Sequence, residues 1–89
     1  MKTYVVKDII HNTQTGETST YYTGKDGYVH DEPEFADGYK LTKAAQKKID
    51  REKAWYVRWQ KAKVINENSI IESDKWVHTY SIVEKEESK

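Results

Sequence analysis

Carboxylate and imidazole side chains, the residue types that bind metals and transfer protons, are concentrated in one short segment. The segment is His30-Asp31-Glu32-Pro33-Glu34, followed closely by Asp37. Its spacing matches neither an EF-hand loop nor the His-Glu-x-x-His zinc motif, so we interpret it as a solvated acidic loop. We interpret His11 and His78 as ordinary residues, and we expect His78, on a strand, to hydrogen bond to backbone.

Catalytic patterns are weak in the rest of the chain. The sequence has no cysteine, which excludes thiol nucleophiles, thiolate zinc sites and disulfides. Gly24-Lys25-Asp26-Gly27 lacks the residue order of a phosphate-binding loop, and no serine lies in a nucleophile elbow. A chain of 89 residues rarely encloses a pocket that could separate the pKa values of paired carboxylates such as Glu32 and Glu34. We therefore predict a protein that is not an enzyme and that uses no cofactor or metal.

Basic side chains recur at helical spacing in the middle of the chain. At roughly 100° per residue they form a stripe roughly 80° wide on one side of a helix. Trp55 and Trp59, one turn apart beside this stripe, could stack nucleic-acid bases. We assign both indoles to the core, because they share an apolar arc with Leu41 and Ile49. The stripe, called the basic ridge below, consists of Lys43, Lys47, Arg51, Arg58 and Lys61.

Charge is arranged in blocks, although 15 basic and 15 acidic residues give a net charge of zero. Residues 1–37 carry a net charge of −4, residues 38–63 carry +7, and residues 64–89 carry −3. Such asymmetry bears on partners rather than on fold. The basic ridge could bind nucleic acid, dock on an acidic protein, or be neutralised by the chain's own acidic loop.

The elements that position these residues form a single small α+β domain. We predict a β-hairpin over 1–23, an acidic loop over 24–40, a helix over 41–63 capped by Thr42, a strand over 75–84 and a frayed tail over 85–89. The helix is expected to continue past Trp55. The order β-β-α-β, with a fourth strand near 64–71, predicts an antiparallel sheet of three to four strands packed against one long amphipathic helix. Alternation in the last strand places Trp76, His78, Tyr80 and Ile82 on one face.

The N-terminal sequence lacks the features of a signal peptide, and no apolar run approaches the roughly 18 residues of a membrane span. We therefore expect a cytoplasmic protein without a membrane partner.

The sequence also resembles a class of small proteins. A hairpin with Thr15-Gly16-Glu17 at its turn, the segment Gly38-Tyr39-Lys40-Leu41-Thr42-Lys43 opening a helix, and an acidic-tailed strand look like small accessory proteins of phages and prophages of Gram-positive bacteria. The class includes inhibitors of host defence nucleases such as anti-CRISPR proteins. The resemblance implies a protein that acts by binding. The basic middle departs from the acidic, DNA-mimicking members of that class.

Our leading hypothesis is a phage-related binding protein that modulates or inhibits a host macromolecule, such as a defence nuclease, in the host cytoplasm. The alternative is a small nucleic-acid-binding module that uses the basic ridge. A homo-oligomer, in which the acidic loop of one chain meets the basic ridge of another, is the third hypothesis. The residues predicted to contact a partner are Lys43, Lys47, Arg51, Arg58 and Lys61 on the helix and Asp31, Glu32 and Glu34 on the loop.

Overall fold

A computed structural model describes residues 1–66 and 69–86 of the chain. They form an antiparallel sheet of six strands with one α-helix packed on it. The order of strands across the sheet is β3-β2-β1-β6-β5-β4. The elements are β1 (Lys2–Asn12), β2 (Thr18–Thr23), β3 (Val29–His30), a 3-10 turn (Pro33–Phe35), α1 (Thr42–Gln60), β4 (Lys63–Asn66), β5 (Ile70–Glu72) and β6 (Trp76–Glu86).

The sheet has six strands, whereas the sequence analysis expects three to four. The expected β-β-α-β order lacks β3 before the helix and has too few strands after it. The additional strands are short. β3 has two residues, and the single strand expected near 64–71 is a pair, β4 and β5, whose register shifts between Val64 and Asn66. Residues 67 and 68, within the segment where that strand is expected, lie outside the described residues. Short, irregular edge strands show little alternation of polar and apolar residues, so their sequences resemble those of loops.

Long-range pairing fixes the two long strands. β1 pairs with β6 over their whole lengths, from Lys2 opposite Glu86 to Asn12 opposite Trp76. Lys85 and Glu86, expected in a frayed tail, therefore belong to β6; residues 87–89 lie outside the described residues. The N-terminal hairpin is confirmed: Gly16 takes a φ of 80° in the turn between β1 and β2.

The helix continues past Trp55, as predicted, but it ends at Gln60 rather than near Lys63. Lys61 adopts the left-handed conformation that closes many helices, with a φ of 55°. The expected N-cap is wrong. Leu41 occupies the cap position without a side-chain hydrogen bond, and Thr42 is the first helical residue.

The core lies between α1 and one face of the sheet. Even-numbered residues of β1 and β6 face the helix, since Val6 and Tyr80 cluster with Ala45 and Ile49. Odd-numbered residues of the two strands face the opposite side because their register is unbroken. The predicted face of β6 is confirmed: Trp76, Tyr80 and Ile82 pack in the core with α1, and His78 contacts Tyr56 of the helix.

Candidate interaction surfaces

The helix lies on the sheet in a different rotational position from the one that its apolar residues predict. Ala45, Ile49 and Lys53, spaced four residues apart, are the buried residues of α1. Around the helix axis, these three buried residues lie roughly 60° from the middle of the apolar arc that includes both tryptophans. The buried Lys53, only 7% exposed, made the true buried side difficult to recognise. A lysine can occupy this position because its methylene stem is apolar and its ammonium group lies 3.9 Å from the Asp50 carboxylate.

The four helical residues of the basic ridge, Lys43, Lys47, Arg51 and Arg58, consequently lie on the side of α1 directly opposite the sheet. The prediction is wrong for Lys61, which follows the last helical residue and shares a cleft with the turn between β5 and β6. All five residues of the basic ridge are exposed. Residues four apart on a helix are neighbours, so Lys43, Lys47 and Arg51 form a row of like charges. Each such pair disfavours the helix by a few tenths of a kcal/mol, roughly 0.2–0.5. The fold therefore retains a mildly unfavourable surface.

No carboxylate within the described part of the chain forms an ion pair with the basic ridge. The nearest acidic residues on the helix are paired elsewhere. Asp50 accepts a hydrogen bond from Gln46 at 3.0 Å and lies 3.9 Å from the Lys53 ammonium group. Glu52 pairs with Lys48, four residues earlier on the helix, at 3.4 Å.

Two indoles lie beside the basic ridge and face solvent. Trp55 is 51% exposed and Trp59 is 62% exposed, so their assignment to the core is wrong. Leu41, placed on the same arc, is 65% exposed. The rotation of the helix toward Lys53 carries all three side chains away from the sheet. The guanidinium carbon of Arg58 lies 5.1 Å from the ring centroid of Trp59, which is the distance of a cation–π contact.

The acidic loop occupies the other face of the sheet. The Lys85 ammonium group donates to the carbonyl oxygens of Glu34, at 3.0 Å, and of Ala36. Lys85 is odd-numbered in β6, so its side chain extends away from the helix. Gly38 packs against the Thr3 side chain on the same face, where an added Cβ would collide with the threonine oxygen. The loop thus crosses beneath the ends of β1 and β6.

The chain returns to the helix side next to the N-terminal end of β1, where β2 no longer pairs with it. The Tyr39 amide donates to the Tyr4 carbonyl at 2.7 Å, and the Tyr4 amide donates to the Tyr39 carbonyl at 2.8 Å. Tyr39 then packs on the core, and α1 begins three residues later. The loop and the basic ridge are therefore separated by the sheet and the helix, although they are adjacent in sequence.

The predicted site residues form two surfaces rather than one. The three loop residues, Asp31, Glu32 and Glu34, are exposed. None of their carboxylates is ion-paired within residues 1–66 and 69–86, whereas Asp26 and Asp37 of the same loop pair locally with His30 and Lys25. Neutralisation of the basic ridge by the loop of the same chain, the third interpretation of the charge pattern, is incompatible with this placement.

A buried polar pair lies beneath the helix and was not anticipated. Nδ1 of His78 lies 2.9 Å from both carboxylate oxygens of Asp8, and the two side chains are 4% and 12% exposed. His78 therefore bonds to a carboxylate rather than to backbone. The rings of Tyr56, Trp76 and Tyr80 surround it, with centroids 4.5–5.6 Å away. Side chains alternate between the two faces along β1, so Asp8 faces the helix as Val6 does. This alternation is the feature of the sequence from which the buried position of Asp8 could have been predicted.

The pair joins β1 to β6 inside the helix–sheet interface, so it supports the fold and presents no open reaction site. Burial raises the pKa of the Glu52 carboxyl above its ordinary range, and the nearby Asp8 carboxylate raises it further, against the opposing effect of Lys48. Within the described residues, no group of three or more histidine, aspartate or glutamate side chains is placed to hold a metal ion.

A shallow cleft of about 250 Å³ lies where α1 ends beside the turn between β5 and β6. Its walls are polar apart from the Trp76 ring, and Lys61 links it to the end of the basic ridge. The cleft is lined by Gln60, Lys61, Ser73, Asp74, Lys75 and Trp76.

Within the described ranges, no helix combines the length and apolar character that crossing a membrane requires. Comparison with known proteins found no match to a family model, to a curated protein or to a solved structure.

Proposed function

We propose that this chain is a non-enzymatic, phage-related binding protein that modulates a host protein in the host cytoplasm, such as a defence nuclease, by docking the outer face of α1 on an acidic surface. One observation carries the proposal: four exposed cations and two exposed indoles lie on the part of the helix surface that faces away from the core. The phage setting is supported by the sequence resemblance alone.

The composition of this face suits a protein partner. Tryptophan and arginine are enriched among the residues that dominate binding energy at protein interfaces. Arg58 covers the Trp59 ring, so the two side chains form one flat amphipathic unit. The surrounding lysines steer association with an acidic surface and suppress association with a basic one. The unfavourable row of like charges persists in the free protein and would be relieved by such a partner.

The net charge of zero favours a protein over a long polyanion. A nucleic acid that extends beyond the helix would meet the acidic flanks of the chain, whereas a protein surface can match the helix face alone. The acidic loop, on the opposite face of the sheet, takes no part in this contact.

Nucleic-acid binding is the second candidate, and the exposed indoles support it. Trp55 and Trp59 are four residues apart, which corresponds to a rise of about 6 Å along the helix. Single-stranded nucleic acids bind to such aromatic side chains by stacking while neighbouring cations contact phosphates. Arg51 and Arg58 flank the indoles and could supply those contacts.

The experiment is affinity capture from an extract of a Gram-positive host, with and without nuclease treatment. The test variant carries Arg51→Glu and Arg58→Glu, and the control variant carries Lys63→Glu and Lys75→Glu, which alter equal charge at exposed sites outside the helix. The proposal expects a specific protein that the wild type and the control capture after nuclease treatment and the test variant does not. Capture of nucleic acid alone, lost in the test variant and in high salt, would overturn the protein proposal in favour of the second candidate. An identical set captured by both variants would overturn both.

A further inference from the structure

The acidic loop forms a surface of its own that the proposed function does not use. The segment 28–35 exposes apolar side chains among its carboxylates: Tyr28 is 72% exposed, Val29 61% and Phe35 67%. Large apolar side chains exposed together with charge of a single sign are typical of interaction sites. We call this segment, with Asp31, Glu32 and Glu34, the loop surface.

The loop surface and the outer face of α1 are complementary in two respects. One presents unpaired carboxylates and the other presents unpaired lysines and arginines, each within the described part of the chain. Both also expose aromatic rings, since the loop surface has Tyr28 and Phe35 and the helix face has Trp55 and Trp59. Contact would place apolar area in the same interface as opposite charges, which is the composition of a specific association.

The two surfaces cannot meet within one molecule. The loop is held on the far side of the sheet by the hydrogen bonds from Lys85, and the basic ridge points away from the sheet on the near side. In a second copy, however, the same loop is free to approach the helix. Every copy carries both halves of the contact, so the complementary partner is always present at the concentration of the protein itself.

We propose that this protein self-associates head to tail, with the loop surface of one copy bound to the outer face of α1 in the next. The contact joins two different surfaces, so a dimer would still carry one free helix face and one free loop surface. Such heterologous contacts produce rings or open chains rather than closed symmetric dimers. The association occupies the same helix face as the proposed function but does not depend on that function.

Sedimentation velocity tests the proposal on the full chain, in a dilution series at low salt, about 50 mM, and at high salt, about 500 mM. The wild type is expected to sediment faster as its concentration rises at low salt and as a monomer at high salt. The helix variant, Lys47→Gln with Arg51→Gln, and the loop variant, Glu32→Gln with Glu34→Gln, are each expected to stay monomeric. The control, Lys63→Gln with Lys75→Gln, is expected to behave as the wild type.

Mixing the two deficient variants gives the sharpest result. The helix variant keeps an intact loop surface, and the loop variant keeps an intact helix face, so one good interface can form between them and no more. The mixture is expected to form a one-to-one dimer that does not grow, which also shows that both variants are folded.

A wild type that stays monomeric at low salt would overturn the proposal, as would variants that associate like the wild type or a mixture that remains monomeric. A monomeric wild type that still captures a host protein would overturn this proposal and leave the proposed function standing.

Discussion

The Asp8–His78 pair is predicted to be among the largest single contributions to the stability of this protein. The change Asp8→Ala removes both oxygens that lie 2.9 Å from Nδ1 of His78 and leaves that nitrogen buried, on a side chain only 4% exposed. Leaving a buried polar group without its partner costs about 1–3 kcal/mol, and more where a charged group takes part in the hydrogen bond. We therefore expect a loss of about 3 kcal/mol in the free energy of unfolding.

This loss is a large part of the total free energy of unfolding. A domain of this size has a total stability of roughly 4–13 kcal/mol, and each kcal/mol corresponds to roughly 4–8 °C in melting temperature. The expected fall is therefore about 12–24 °C, measured by circular dichroism during thermal and urea unfolding. Asp74→Ala, at an exposed position in the turn before β6, is the matched control and should change stability by less than about 0.5 kcal/mol. A loss below about 1 kcal/mol for Asp8→Ala would refute the reasoning that this pair is buried and mutually dependent.

Three further changes test other parts of the structure. Trp55→Ala and Trp59→Ala should each cost less than about 1 kcal/mol, because the indoles are exposed; a loss of about 3–5 kcal/mol, typical of a core tryptophan, would show that they are buried. Glu52→Gln should stabilise the protein at neutral pH: burial raises the pKa of the carboxyl, so the folded state loses stability as pH rises through that pKa. The gain should vanish as pH falls toward the ordinary value of 4.5, and a gain that is independent of pH would contradict this cause. Tyr80→Phe removes a buried hydroxyl that has no hydrogen-bond partner among the residues that the structure describes, so urea unfolding should show no loss of stability. A loss above about 1 kcal/mol would indicate a hydrogen bond to this hydroxyl.

Local patterns predicted the elements that depend on neighbours in sequence. The N-terminal hairpin follows from turn residues between two β-rich segments, and the first part of the helix follows from the good helix formers over 43–54. Its continuation past Trp55 follows from the helical spacing of apolar residues rather than from helix propensity. The inward face of β6 follows from simple alternation.

Features set by contacts between distant parts of the chain were missed. β4 and β5 are short and pair through a shifted register, which alternation does not reveal. The rotation of α1 depends on Lys53 being buried against the sheet, and a hydrophobic arc cannot anticipate a lysine there. The partner of His78 is 70 residues away, in β1.

For the candidate interaction surfaces, too, the sequence predicts the local features but not their placement in the fold. Residue types and their spacing identified the basic ridge and the acidic loop from the sequence. Whether the acidic loop and the basic ridge meet depends on the path of residues 31–39 past the N-terminal end of β1. That path is set by contacts of Lys85, Thr3 and Tyr4, which no local pattern encodes.

The central claim is that the acidic loop and the basic ridge lie on opposite sides of the molecule. The chain has no cysteine, so spin labels can be attached at Lys47→Cys and Glu32→Cys alone. The distance between them can be measured by double electron–electron resonance in high salt, with excess unlabelled protein to suppress contacts between copies. A helix diameter of about 10 Å above a sheet, with the loop beneath it, predicts a distance beyond about 20 Å. Labels in direct contact, with the spectral broadening that contact produces, would place the loop on the helix and contradict the account.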